Sequence, residues 1–231
     1  MSGLPVVLVP GLLCTGELFA PQVAALQAVG PVTLAATTEG DSMAEIADAV
    51  LASAPPRFAL AGSSMGGYVC FEILRRAPER VARLALLSTS ARPDTPEQSA
   101  QRRAWLAEAR VDLRAALERS VPRLQHPARR GDAALVETQV RMGLAVGLEA
   151  FERQTRATIA RPDSRPLLPR IGVPTLVLVG DRDPLTPPLR AREIAQGIPD
   201  ARLVVVPRCG HAATLERPEA IAAELAAWLA S

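Results

Sequence analysis

The stretch LAGSSMGGYVC, residues 60–70, sets two serines side by side between glycines. A serine hydroxyl becomes a nucleophile when a sharp turn holds it exposed and a neighbouring base takes its proton. On such a strand-to-helix turn the residues two places before and after the nucleophile must be small, because side chains there collide across the turn. Ser64 meets that demand with Gly62 and Gly66, and Gly67 adds clearance; Ser63 has Ala61 and Met65 at those distances. The frame is therefore G-x-S-x-G centred on Ser64, with Ser63 a bystander. A glycine-rich turn in an ordinary α/β protein reads the same over five positions, so the remaining chemistry must be sought elsewhere in the chain.

A base is sought first. Of the two histidines, His126 lies in LQHPARR, within a helix-rich block, and reads as a surface residue at a helix end. His211 lies in VVVPRCGHAATLERPE, directly after an apolar run, where a loop leans over the carboxyl edge of a parallel sheet, the edge at which catalytic groups gather. The imidazole needs an anion to orient it, and LVLVGDRDPLTPP offers Asp181 and Asp183. One of them is expected to cap the turn. Asp183 is the better partner, since Gly180-x-x-Asp183 carries it beyond the strand end. Developing negative charge on a carbonyl oxygen needs two backbone N–H donors, assigned here to Met65 and to Leu12 in VPGLLCTG. Their apolar side chains are no objection, and Leu13, Trp105 and Met142 are expected to line an apolar pocket over Ser64, with Leu106 and Leu144 as further large apolar residues of the same block.

Several elements must bring these groups together. Pro5 to Val9, 31–36, 57–61, Val81 to Leu87, 175–179 and 203–206 read as strands, the first as one buried on both faces. Helical spacing marks 17–29, a helix opened by the capping box Ser42-x-x-Glu45, 65–77, 188–197 and 218–229. Alternation of this kind implies a parallel sheet with helices on both faces. Residues 92–166 break the rhythm. They hold no convincing strand and read as three or four helices interrupted at Pro122, Pro127 and Gly131, inserted between the core segments 1–91 and 167–231.

Composition narrows the partners. At 231 residues the chain is long enough for one large domain with a sizeable core. All 26 basic residues are arginine, balanced by 24 acidic ones, and aromatics make up only 3%, so nucleic acid is not the expected partner. Residues 92–166 hold 14 arginines against 10 acidic residues, a modest basic excess that would attract acidic substrates, although solvated surface arginines explain it too. Cys14, Cys70 and Cys209 show no C-x-x-C spacing and read as reduced thiols of a cytoplasmic protein. No signal peptide and no run near the ~18 apolar residues of a membrane span is present, so a small-molecule substrate and a monomer or homodimer are expected.

The runs VVLVPGLLCTGELFAPQ, FALAGSSMGGYVCFEILRRAPERVARLALLSTSA, IGVPTLVLVGDRDPLTPP and VVVPRCGHAATLERPEAIAAELAAWL together resemble the α/β-hydrolase fold superfamily, in its small, helically capped, carboxylesterase-like branch. The resemblance covers nearly the whole length. It implies a triad on Ser64, Asp183 and His211, no cofactor, and a cap over 92–166 that chooses substrates without contributing to the chemistry. Pro10-Gly11 stands where most relatives carry His-Gly, which forfeits that histidine's hydrogen bonds, and TTEGDS replaces the usual Gly-His-Gly loop. The common amino-terminal hairpin is missing, so a six-stranded, all-parallel twisted sheet is expected. The leading expectation is hydrolysis of small carboxylic esters, lactones or thioesters through an acyl-enzyme. The alternatives are a carbon–carbon bond hydrolase or lyase on the same triad, and a non-catalytic ligand-binding member of the fold.

Overall fold

The computed structural model describes residues 3–230. Six strands, β1 (Val6–Val9), β2 (Val32–Leu34), β3 (Phe58–Ser63), β4 (Val81–Leu87), β5 (Thr175–Gly180) and β6 (Ala201–Val206), form one sheet in the order β2-β1-β3-β4-β5-β6. Every pairing is parallel. Central strands read as unbroken apolar runs because both faces are covered. Val7, Val9, Leu60, Leu84, Leu86, Val177 and Val179 point into one core, closed by α2 (Met43–Ser53), α3 (Met65–Arg76) and α7 (Pro188–Gly197). Their neighbours Val6, Leu8, Ala59, Ala61, Ala85, Leu87, Leu176 and Leu178 point into the other, closed by α1 (Ala20–Gln27), the short α8 (Ala213–Glu216) and α9 (Pro218–Ala230). The period-2 alternation of a strand sends consecutive residues to opposite layers.

Between β4 and β5 stand three long helices, α4 (Pro96–Val111), α5 (Leu113–Leu124) and α6 (Ala133–Ile159). They share a third apolar cluster, with Leu106, Leu117, Val121, Val140 and Phe151 among its members and Trp105 set edge-on to Phe151 at 4.8 Å between centroids. The first break in this block falls at Asp112, whose carboxylate caps α5 by accepting the Ala115 N–H, and not at Pro122. Pro122 sits inside the last turn of α5, where the lost N–H removes one bond without stopping the helix. The segment expected as one helix over 17–29 is split: Gly16–Phe19 is a 3₁₀ turn, and α1 follows with Pro21 in its first turn. Helix α6 bends at Gly147, the one residue in it with non-helical torsions, φ 78° and ψ 166°. Among the described residues no helix is long and apolar enough to cross a membrane.

Candidate active site

Ser64 occupies the junction of β3 and α3 with φ 54° and ψ −115°, a conformation rarely taken by a residue with a side chain. Contacts on both sides hold it there. Its N–H donates to the Leu87 carbonyl at 2.9 Å, and Thr89 Oγ1 donates to its carbonyl at 2.8 Å. The glycine frame follows from sterics. A Cβ on Gly62 would lie 2.4 Å from the Gly66 carbonyl oxygen, and one on Gly66 would lie 2.0 Å from that of Val9. Only glycine lets β1, the turn and α3 approach this closely. Ser63 is buried inside β3.

Asp183 and His211 reach the turn from the loops after β5 and β6. Nε2 of His211 stands 3.0 Å from Ser64 Oγ, and its Nδ1 stands 2.8 and 3.0 Å from the two Asp183 oxygens. Asp183 is 3% exposed and also accepts the Leu185 and Thr186 N–H groups at 2.9 Å and the Thr186 hydroxyl at 2.8 Å. Burial alone would push this carboxyl up; the facing His211 ring and the Thr186 donors outweigh it and hold the group below its ordinary value. Asp181 serves the turn instead. It accepts the Cys209 N–H at 3.0 Å, and although burial raises its carboxyl, bonds from the Cys209 and Arg208 backbone bring it below the ordinary value. Close approach again demands glycine, because a Cβ on Gly180 would lie 2.2 Å from the Gly210 carbonyl oxygen.

Residues 37–218 match the α/β-hydrolase fold family. The chain belongs to that family. Among proteins similar to this α/β hydrolase is a pimeloyl-[acyl-carrier protein] methyl ester esterase of Nitrosomonas europaea, 29% identical over 78% of this chain and 74% of its own. A thermophilic esterase from Thermogutta terrifontis superposes with a TM-score of 0.89 at 31% identity, covering 99% of this chain and 90% of that one. The enol-lactonase from Burkholderia xenovorans superposes with a TM-score of 0.90 at 27% identity, over 100% of this chain and 93% of that one.

In this α/β hydrolase, Ser64 and His211 line a cavity of about 450 Å³ roofed by the helical insertion. Leu12, Leu13 and Met65 line it too, and of the large apolar residues expected from the insertion Trp105 does. Met142 does not. It is 1% exposed and joins the core between the sheet and helices α1 and α9, because α6 turns that side downward. Leu106 and Leu144 hold the insertion's own cluster together, whereas Leu117 and Val121 of α5 reach the cavity. His126 is half-buried at the start of a 3₁₀ turn and accepts from the Ala128 N–H.

The backbone N–H groups of Leu12 and Met65 have no acceptor among the described residues, while the next donor, Leu13 N–H, is bound at 3.0 Å by Gln154 Oε1. Gln154, fully buried on α6, also donates to the Thr37 carbonyl at 3.0 Å. Leu13 has φ 57°, so this bond fixes a strained backbone beside the Leu12 donor. The insertion thus touches the loop that carries Leu12 and Leu13. A second tie runs from Leu124 at the end of α5, whose carbonyl accepts the His211 N–H at 2.8 Å. The buried carboxylate of Glu216 accepts from both His126 and Gly210 N–H groups, at 2.9 and 3.1 Å, fastening the insertion to the histidine loop. The sequence signal for Gln154 was its helical offset from Phe151, Ala157 and Thr158, which are all buried.

Proposed function

We propose that this α/β hydrolase cleaves small carboxylic esters, with lactones and thioesters within the same chemistry, through an acyl-enzyme on Ser64. One observation carries the reading: Ser64 Oγ, His211 and Asp183 form an unbroken hydrogen-bonded line at the floor of the cavity. Ser64 Oγ attacks the ester carbonyl carbon while His211 Nε2 takes its proton. The carbonyl π pair moves onto oxygen, where the Leu12 and Met65 N–H groups receive the charge. Collapse expels the alkoxide, which takes the proton from His211. A water then gives its proton to the imidazole, attacks the acyl carbon, and releases the acid with the proton returned to Ser64. Asp183, held ionised by its partners, fixes the ring with Nδ1–H toward itself and Nε2 toward the serine.

The esterases and the enol-lactonase to which the chain is similar support an acyl substrate with an oxygen leaving group. The insertion, residues 92–166, acts as the cap that sets substrate preference. A fluorophosphonate adduct mapped by mass spectrometry, together with turnover of p-nitrophenyl esters of increasing chain length, tests the proposal. Labelling at Ser64 with a burst of p-nitrophenol is expected. A labelled Ser63, or an inert protein that only binds esters, would overturn it.

A further inference from the structure

Four arginines, Arg92, Arg102, Arg161 and Arg190, line the cavity over Ser64, and among the described residues no acidic side chain does. Two of them share a single counter-charge. Asp94, with no exposed side-chain surface, pairs with Arg161 and, at 2.7 Å, with Arg102 Nε. One carboxylate between two guanidiniums leaves a positive charge. Arg92 is neutralised by Glu193, whose oxygens lie 2.9 and 3.0 Å from its Nε. Arg190, half-buried on α7, forms no ion pair or side-chain hydrogen bond among the described residues. The four arginines thus outnumber the two carboxylates they share, Asp94 and Glu193, and the net positive charge lies on both sides of the cavity, with Arg102 of α4 and Arg161 just past α6 on one and Arg190 of α7 on the other.

Arg161 is the anchor of this wall. It is 7% exposed, its Nε donates to the Arg92 carbonyl at 3.0 Å and its Nη1 to the Thr158 carbonyl at 2.7 Å, and its guanidinium lies 4.3 Å over the Tyr68 ring. Its Nη2 has no acceptor among the described residues, and neither has Arg102 Nη1. Thr158, 1% exposed and also lining the cavity, buries a hydroxyl that has no hydrogen-bond partner among the described residues. A structural tie between the chain leaving β4 and the end of α6 requires only Asp94 and one arginine. The second arginine, the unused donors and the Thr158 hydroxyl are left over. Planar guanidinium donors match a carboxylate's two oxygens, and a desolvated excess of positive charge selects an anion.

We infer that this cavity takes an ester bearing its own free carboxylate, held by Arg102, Arg161 and Arg190; the placement of its ester carbonyl at Ser64 rests on the function proposed above. The substrate class is the half-ester of a dicarboxylic acid, or an ester whose alcohol part is anionic.

Methyl hydrogen glutarate and its neutral isostere methyl 5-amino-5-oxopentanoate test this on the intact Ser64→Ala protein by calorimetry. The anion should bind at least about tenfold more tightly. Adding Arg102→Gln or Arg190→Gln should erase most of the preference. The Arg190 side chain makes no hydrogen bond among the described residues, so it keeps the test decisive if Arg102→Gln does not fold. Equal affinity for acid and amide, repeated with the succinate and adipate pairs and with 3-carboxyphenyl against 3-carbamoylphenyl butyrate, would overturn the inference. A preference confined to the phenyl pair places the carboxylate on the alcohol side and upholds it. Turnover by the wild-type chain separates the two claims: neutral esters cleaved without anion preference leave the hydrolase reading standing and remove the carboxylate subsite. Anion preference with no ester cleaved does the reverse.

Discussion

At the floor of the cavity Ser64 sits in one continuous stretch, Gly62 through Gly67, whose glycines at 62 and 66 are demanded by close backbone contact. At the roof Trp105, Leu117 and Thr158 arrive from three helices, and each faces the cavity because of how those helices pack. The floor tolerates almost no change, since a Cβ at Gly66 would collide with the backbone of β1. The roof is side-chain surface that can be reshaped without moving Ser64. The proposed function puts chemistry in the rigid part and selectivity in the adjustable one, and at Gln154 and Leu124 the roof reaches down and grips the floor.

The largest effects should come from breaking the floor. Ser64→Ala is expected to lower kcat on p-nitrophenyl butyrate by about 10⁴ or more, with Ser63→Ala retaining most activity. Asp183→Asn should follow, at about 10³–10⁴ in kcat with KM little changed, because the imidazole then favours the wrong tautomer. Should Asp181→Asn be the damaging change instead, the two aspartates exchange roles.

The grip between the regions is tested by Gln154→Leu. Leaving the Leu13 N–H unpaired in the interior should destabilise the fold by about 1–3 kcal/mol in urea melts. It should also lower kcat about tenfold with KM held, less than the ~10²–10³ expected for deleting an oxyanion donor outright. Equal losses in kcat and in folded fraction would reduce Gln154 to a packing residue.

The roof gives smaller, selective effects. Trp105→Ala or Leu117→Ala should shift kcat/KM between short and medium acyl chains by ~1–3 kcal/mol, while Met142→Ala, at a side chain that does not line the cavity, should alter stability without altering the profile. A flat profile for both cavity variants would remove the cap from specificity. The mildest expected outcome concerns acid. Asp183 has its carboxyl lowered on folding, so it contributes stability that is complete above the unfolded aspartate value of ~3.9 and is lost as pH falls through the lower folded value. Thermal melts below pH 4 should therefore fall more steeply for wild type than for Asp183→Asn.

Much of the floor was legible in the chain because its constraints are local or topological. Gly62 and Gly66 announce the turn, and the strand order places residues 183 and 211 at the same edge as 64. The roof was less so. Its helices are rich in arginine and alanine, so apolar spacing says weakly which face turns inward, and Trp105 and Met142 look alike in sequence while facing different cores. Arginine count alone did not distinguish solvated Arg114, paired with Glu118 on the surface, from Arg161, fixed in the cavity wall. That difference depends on Asp94, 67 residues away.

Gly147 bends α6 and separates its first half from the half that carries Gln154 and Thr158. Space is open around it, for a Cβ there would meet nothing within 4 Å. Its torsions nevertheless lie in a region that is essentially glycine's own. Sequence drift at this position is thus barred by an angle and not by a neighbour, and a survey of mutational tolerance ranked by contacts would score as free a site that is closed to every other amino acid.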